Sequence, residues 1–231
     1  MGDKINRGNR DEKTEEKVET QKKKKLDTEV RKINPWVRPG ILDSDKIMSC
    51  LELLHYRRTI FLDAPIINPE ASLIPRMLSY DTIENAPIKL FISSPGGDID
   101  AGFKICDTMA LIRSKIITIG MGFQSMAVPV FMMGDERYLF PHARVMIHLP
   151  WGNIQGDEKE IATASKQMTR MKERITDLML ERGATKSRRQ ILKDMEKDFW
   201  MEAEEAIKYG VAHDIIVPED YKRIFFGDEN A

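Results

Sequence analysis

Apolar residues along the chain fall into two spacings, and each predicts a kind of element. Short runs with almost no polar interruption read as buried strands: Arg58-Thr59-Ile60-Phe61-Leu62, Ile88-Lys89-Leu90-Phe91-Ile92, Ile116-Ile117-Thr118-Ile119, Tyr138-Leu139-Phe140 and Arg144-Val145-Met146-Ile147. Between them the apolar positions take a helical period. Pro69 to Tyr80 is one such segment. Asp100 to Arg113 is another, with apolar residues recurring at Phe103, Cys106, Met109, Ala110 and Ile112. A third ends at Val130-Phe131-Met132-Met133. Asp157 to Arg182 reads as a long polar helix, Lys186 to Lys197 as a second, and Ala203 to Tyr209 as a short last one.

Strands that alternate with helices imply βαβ units and a mostly parallel sheet covered by helices, an α/β fold. The first 30 or so residues break the pattern. They carry charge of both signs and few apolar residues, with an unbroken Lys22-Lys23-Lys24-Lys25 run. Such a segment cannot bury enough surface to order itself, and a solvated tail is expected. A docking tail for an acidic partner is the sharper alternative. The Pro- and Gly-punctuated stretch from Ile33 to Gly40 reads as a linker. Residues 1–44 are therefore expected to form an extension, and residues 45–231 the folded domain.

Composition narrows the function classes. A hydrophobic fraction of 42% in 231 residues is enough for a sizeable core. A net charge of -1 gives no global reason to bind nucleic acid or an anionic membrane. No stretch has the apolar length of a transmembrane span, and the N-terminus lacks the apolar core of a secretory signal. Two cysteines, Cys50 and Cys106, show no metal-ligand spacing and predict no disulfide framework. A cytoplasmic setting is expected, with an organelle stroma or matrix as the variant.

Four local features carry possible chemistry. Pro95-Gly96-Gly97 closes a strand, where two glycines let the backbone turn sharply and approach a ligand. It is no phosphate loop, since neither Gly-Lys-Ser/Thr nor GxGxxG follows. Ser125, in Gly120-Met121-Gly122-Phe123-Gln124-Ser125-Met126, sits between a buried strand and an apolar helix. There a hydroxyl is exposed, and the next amide can serve an oxyanion. Alone, Ser125 reads more readily as an N-cap than as a nucleophile. His148 lies just past an apolar strand. Asp198 is expected at the close of a helix, where the macrodipole opposes an acid. Taken together, a hydroxyl, an imidazole to receive its proton and a carboxylate to orient the imidazole make a hydrolytic set.

At these residues the sequence resembles the Clp protease proteolytic subunit family. The matching runs are Ile92-Ser93-Ser94-Pro95-Gly96-Gly97, Ala101-Gly102, Asp107-Thr108-Met109, Met121-Gly122, Ser125-Met126, Arg144-Val145-Met146-Ile147-His148 with Pro150, Gln155-Gly156, Ala203-Glu204-Glu205-Ala206 and Tyr209-Gly210. They fall in family order from about Leu53 to Ile216. The resemblance implies a crotonase-like core of repeated βαβ units with a protruding helical handle at about 157–198. It implies Ser125 as nucleophile, His148 as general base, Asp198 as the carboxylate that orients it, and the Gly97 and Met126 amides as oxyanion hole. It further implies self-association into stacked, heptameric rings, with Glu196-Lys197 near the ring contact. An AAA+ unfoldase would feed unfolded polypeptide, so ATP would be used by that partner and the chain itself would need no cofactor or metal.

The sequence departs from the family pattern in four places. Phe199 follows Asp198 where a polar or basic residue is commoner, and residues 1 to about 45 match the axial-loop region poorly. The other two departures bear on the site and on docking. The Phe123-Gln124 approach to Ser125 is one residue shorter than usual. Lys89 stands where relatives have an aromatic in the pocket that receives the unfoldase loop. The short approach to Ser125 motivates an alternative, a weakly active or noncatalytic subunit that assembles with an active one. A second alternative, a crotonase-type acyl-CoA enzyme, shares the core and the oxyanion hole without the Ser-His-Asp set.

Overall fold

The structure, a computed structural model, describes residue 54, residues 57–82 and residues 86–226. The expected extension over 1–44 and the start of the domain at 45 lie outside the described residues. Within them the chain is α/β, as the alternation of patterns predicts. Five strands form a wholly parallel sheet in the order β1-β2-β3-β5-β8: β1 (Thr59–Leu62), β2 (Ile88–Ile92), β3 (Ile116–Gly120), β5 (Glu136–Leu139) and β8 (Asp214–Ile215). Helix α1 (Leu73–Asp81) connects β1 to β2, and α2 (Ile99–Leu111) connects β2 to β3. Helix α3 (Ala127–Met132) lies between β3 and β5.

The near-continuous apolar runs have a cause: strands covered on both faces have no solvent side to keep polar. Side chains alternate across the sheet. Ile60, Leu90 and Ile92 enter the large core with Ile105 and Phe131, while Phe91, Ile117, Ile119 and Tyr138 form a second cluster. That second cluster is joined by Ile224 of α7 (Pro218–Phe226). Phe61 stacks on Phe91 there, with ring centroids 5.0 Å apart.

Local rules account for where the helices begin. Asp98 caps α2 by accepting from the Ala101 amide at 2.7 Å. The predicted helix over 69–80 is split, because Ser72 is non-helical at φ -151 and separates a 3-10 turn, Pro69–Ala71, from α1. Pro75 falls in the first turn of α1, where no amide hydrogen is needed. Helix α4 (Glu158–Glu181) opens with a capping box between Asp157 and Glu160. No residue of α4 before Ile175 is buried, so its N-terminal part runs free of the core. Helix α5 (Arg188–Asp194), by contrast, is anchored by fully buried Ile191.

A second sheet, ordered β4-β6-β7, is made of β4 (Phe123–Gln124), β6 (Arg144–Ile147) and β7 (Phe199–Glu202), with β7 antiparallel to β6. Of these only β6 is predicted by the apolar pattern. The expected helix over 186–197 stops at Asp194, and Met195 to Lys197 form a turn. Asp198 is therefore not at a helix end. It immediately precedes β7, whose pairing with β6 turns the chain away from the helix axis, and the macrodipole argument against an acid there falls away. Helix α6 (Ala203–Tyr209) follows and is closed by Gly210 in the left-handed conformation, φ 85.

Candidate active site

Three backbone segments converge at the C-terminal ends of β2, β4 and β6, the side of a parallel sheet where loops hold ligands. The first is the Gly96-Gly97 turn. Both glycines take positive φ, 85 and 149. Gly97 bridges Ile66, whose amide donates to the Gly96 carbonyl and whose carbonyl accepts from Asp98. A Cβ on Gly96 would stand 2.7 Å from both the Gln124 carbonyl oxygen and Ser125 Cβ, so only glycine permits this approach.

The second segment carries Ser125. Strand β4 pairs with β6 in parallel, and the Ser125 amide donates to the Met146 carbonyl at 2.8 Å. Ser125 itself has φ 54, a left-handed conformation that a residue with a Cβ resists. Its carbonyl accepts from the Val128 amide at 3.0 Å, which starts α3. The N-cap position belongs to Met126, and the Ser125 hydroxyl does not cap the helix. It faces the imidazole instead: Ser125 Oγ and His148 Nε2 are 2.8 Å apart. The short Phe123-Gln124 approach thus still delivers the hydroxyl to the ring. No hydrogen bond joins the Gly97 or Met126 amide to another described residue.

The third segment is the end of β6. His148 is one residue beyond it, and the Leu149 amide donates to the Met195 carbonyl at 2.8 Å. The other ring nitrogen, Nδ1, lies 3.5 Å from Asp198 Oδ1. That is longer than a good hydrogen bond. Asp198 is 65% exposed, against 19% for His148. All five predicted site residues, Gly97, Met126, Ser125, His148 and Asp198, come together in one place. Sequence reasoning missed the floor of the site, a small apolar pocket beside Ser125 and His148 walled by Ile99, Pro129, Ile147, Ile175, Met179 and Met195. These residues read as ordinary core in the sequence because their apolar patterns are the same.

Other reactive groups stand apart. Burial pushes the Cys106 thiol up to about 12, which keeps it protonated. His213 accepts from the Arg137 amide at 3.3 Å, and burial, then Arg137, pull its basicity down. Among the described residues no group of three or more His, Cys, Asp or Glu could hold a metal ion, and no helix is long and apolar enough to cross a membrane.

A serine on a strained strand-to-helix turn, bonded to an imidazole at the strand ends of a parallel α/β sheet, has the layout of a serine hydrolase site. The family model described as Clp protease matches residues 43–219. The chain is 33% identical over 182 residues to a Borreliella afzelii protein named "ATP-dependent Clp protease proteolytic subunit", covering 76% of this chain and 91% of that one. A Porphyromonas gingivalis protein of the same name is 32% identical over 200 residues, 83% of this chain and 90% of its own length. A Pseudomonas aeruginosa "ATP-dependent Clp protease proteolytic subunit 2" is 37% identical over 141 residues, 60% of this chain and 70% of that one. The chain belongs to the Clp protease family. Neither the acyl-CoA enzyme nor the noncatalytic subunit is favoured by these relationships.

Proposed function

We propose that the chain is a serine endopeptidase subunit that cuts unfolded polypeptide through an acyl-enzyme on Ser125. The observation that carries this is the 2.8 Å contact between Ser125 Oγ and His148 Nε2. In the proposed reaction the Ser125 oxygen attacks a peptide carbonyl while His148 Nε2 takes its proton. The carbonyl oxygen becomes an oxyanion beside the Gly97 and Met126 amides, at the positive end of α3. The C–N bond then breaks as His148 returns the proton to the leaving amine. Water, activated by the same ring, releases the acyl group and restores the Ser125 hydroxyl. Asp198 faces Nδ1 and favours the tautomer that leaves Nε2 free to accept. Its 3.5 Å separation is of a kind that tightens when substrate fills a site.

The family resemblance extends the proposal to assembly. Copies of this chain would stack in rings, heptameric by that resemblance, around an enclosed chamber. An AAA+ unfoldase would deliver the polypeptide and spend the ATP, leaving this chain without a cofactor of its own. The compartment proposed is the cytoplasm.

Labelling the assembled protein with a fluorophosphonate tests the reading. One adduct at Ser125 is expected, with loss of fluorogenic-peptide hydrolysis. Ser125→Ala should lose turnover and labelling while the oligomer remains. Unchanged turnover in that variant would sink the assignment.

A further inference from the structure

Asp198 is exposed, and among the described residues its side chain makes no hydrogen bond or ion pair apart from the 3.5 Å approach to His148. Its position is therefore set by the backbone of the Met195–Asp198 turn. That turn is held by a residue from a different helix. Tyr209 ends α6 and is 3% exposed. Its hydroxyl donates to Asp194 Oδ2 at 3.0 Å, just before the turn. Its ring packs on Phe199, just after the turn, with centroids 5.8 Å apart. The remaining Asp194 oxygen accepts from Gln190 Nε2 at 2.6 Å. Met195, the first residue of the turn, takes the Leu149 amide, the residue after His148.

We infer that Tyr209 is a positioning residue: it brackets the Met195–Asp198 turn and so sets the distance between Asp198 and His148. This rests on the proposed roles of Ser125, His148 and Asp198. A tyrosine serving only as core filler needs no hydroxyl, yet this one is buried and spent on a carboxylate that borders the site. Burial first, and Asp194 second, push the hydroxyl's acidity down, which keeps it a donor. Because the Asp198 gap is already at the edge of hydrogen-bond range, a few tenths of an ångström in this turn makes or breaks the bond.

Tyr209→Phe keeps the ring and removes the donor. On the assembled enzyme, kcat for a fluorogenic peptide should fall about fivefold, as expected for one lost hydrogen bond, with KM within about twofold. Asp194→Ala removes the acceptor and should give the same loss, so it serves alone if the first variant fails to fold. The decisive arm repeats Tyr209→Phe in an Asp198→Asn background, with fluorophosphonate labelling rate as readout. If Tyr209 acts through Asp198, the second change costs nothing further. The inference is overturned if kcat is unaltered, or if the same loss appears in the Asp198→Asn background. Turnover by Ser125→Ala would instead refute the site itself. An inert Ser125→Ala beside an unimpaired Tyr209→Phe refutes only the role of Tyr209.

Discussion

His148 Nε2 meets Ser125 Oγ at 2.8 Å, although the two residues leave different strands of a small sheet. The contact follows from register. Gln124 pairs with Met146, so one residue beyond β4 and two beyond Met146 the two side chains reach the same end of the sheet. A one-residue slip in this pairing would send the serine to the opposite face. The β4-β6 pairing is thus as much a part of the site as the side chains.

The close packing of Gly96 on that serine makes a first prediction. A methyl group on Gly96 would sit 2.7 Å from Ser125 Cβ and 2.9 Å from the Met126 amide nitrogen, at a φ of 85. Gly96→Ala should lower peptide turnover by about 10–100-fold, the scale on which displaced reacting groups lose rate. Gly152→Ala, where nothing lies within 4 Å, should be neutral in the same assay.

Cleavage preference follows from the pocket. Apart from Ser125, Met126, His148 and Pro150 at the reacting side, its walls are Ile99, Pro129, Ile147, Ile175, Met179 and Met195, none of which offers a charged side chain a bond. Peptides with Leu or Met before the scissile bond should be cut about 100-fold faster than those with Asp or Lys, as the cost of burying an unpaired polar group requires. Competition assays with matched fluorogenic peptides measure the ratio.

Arg182 offers a test of how α3 is held. It is the C-cap residue of α4, and its Nε donates to the Met132 carbonyl at 3.0 Å. Its Nη2 donates to the Met133 carbonyl, and Arg137 Nη1 also reaches Met132 at 3.2 Å. These are the last carbonyls of the helix that begins just after Ser125, groups with no partner inside the helix. Arg182→Ala should lower unfolding stability by about 1–3 kcal/mol. Arg182→Lys should restore only part of it, because a single ammonium cannot reproduce the fork. Denaturant titration separates the three.

Lys89 predicts a pH dependence. It is 7% exposed on β2, and its pKa is pulled from the ordinary 10.5 to about 8 by burial, with Arg57 and Arg58 adding to the effect. Below pH 8 both folded and unfolded chains hold the proton, and the folded state bears the full penalty. Between pH 8 and 10.5 the unfolded chain binds more protons, so stability rises with pH. Lys89→Met should therefore stabilise the protein at pH 7, by at most about 3 kcal/mol. The gain should shrink through that window in unfolding curves taken across pH.

The parallel sheet was legible because strands buried on both faces leave unbroken apolar runs such as Ile116 to Ile119. Strands β4 and β8 have two residues each, too few to show a period. Strand β7 carries Trp200 and Glu202 on an open side, and Glu196-Lys197 before it extend a helical pattern the chain does not follow. Ser125 was legible as a candidate, but not its freedom from capping, since a φ of 54 leaves no mark in the residue types around it. The apolar pocket and the Tyr209–Asp194 contact depend on which buried residues meet in space, and pattern alone cannot say that.

The backbone at Ser125 has an evolutionary consequence. A left-handed residue with a side chain costs about 1–2 kcal/mol that glycine avoids. A chain with glycine at 125 would lose the hydroxyl and fold more securely. The local pull of stability at this position runs toward an inert protein, and the serine persists only where its chemistry is worth more than the firmness it displaces.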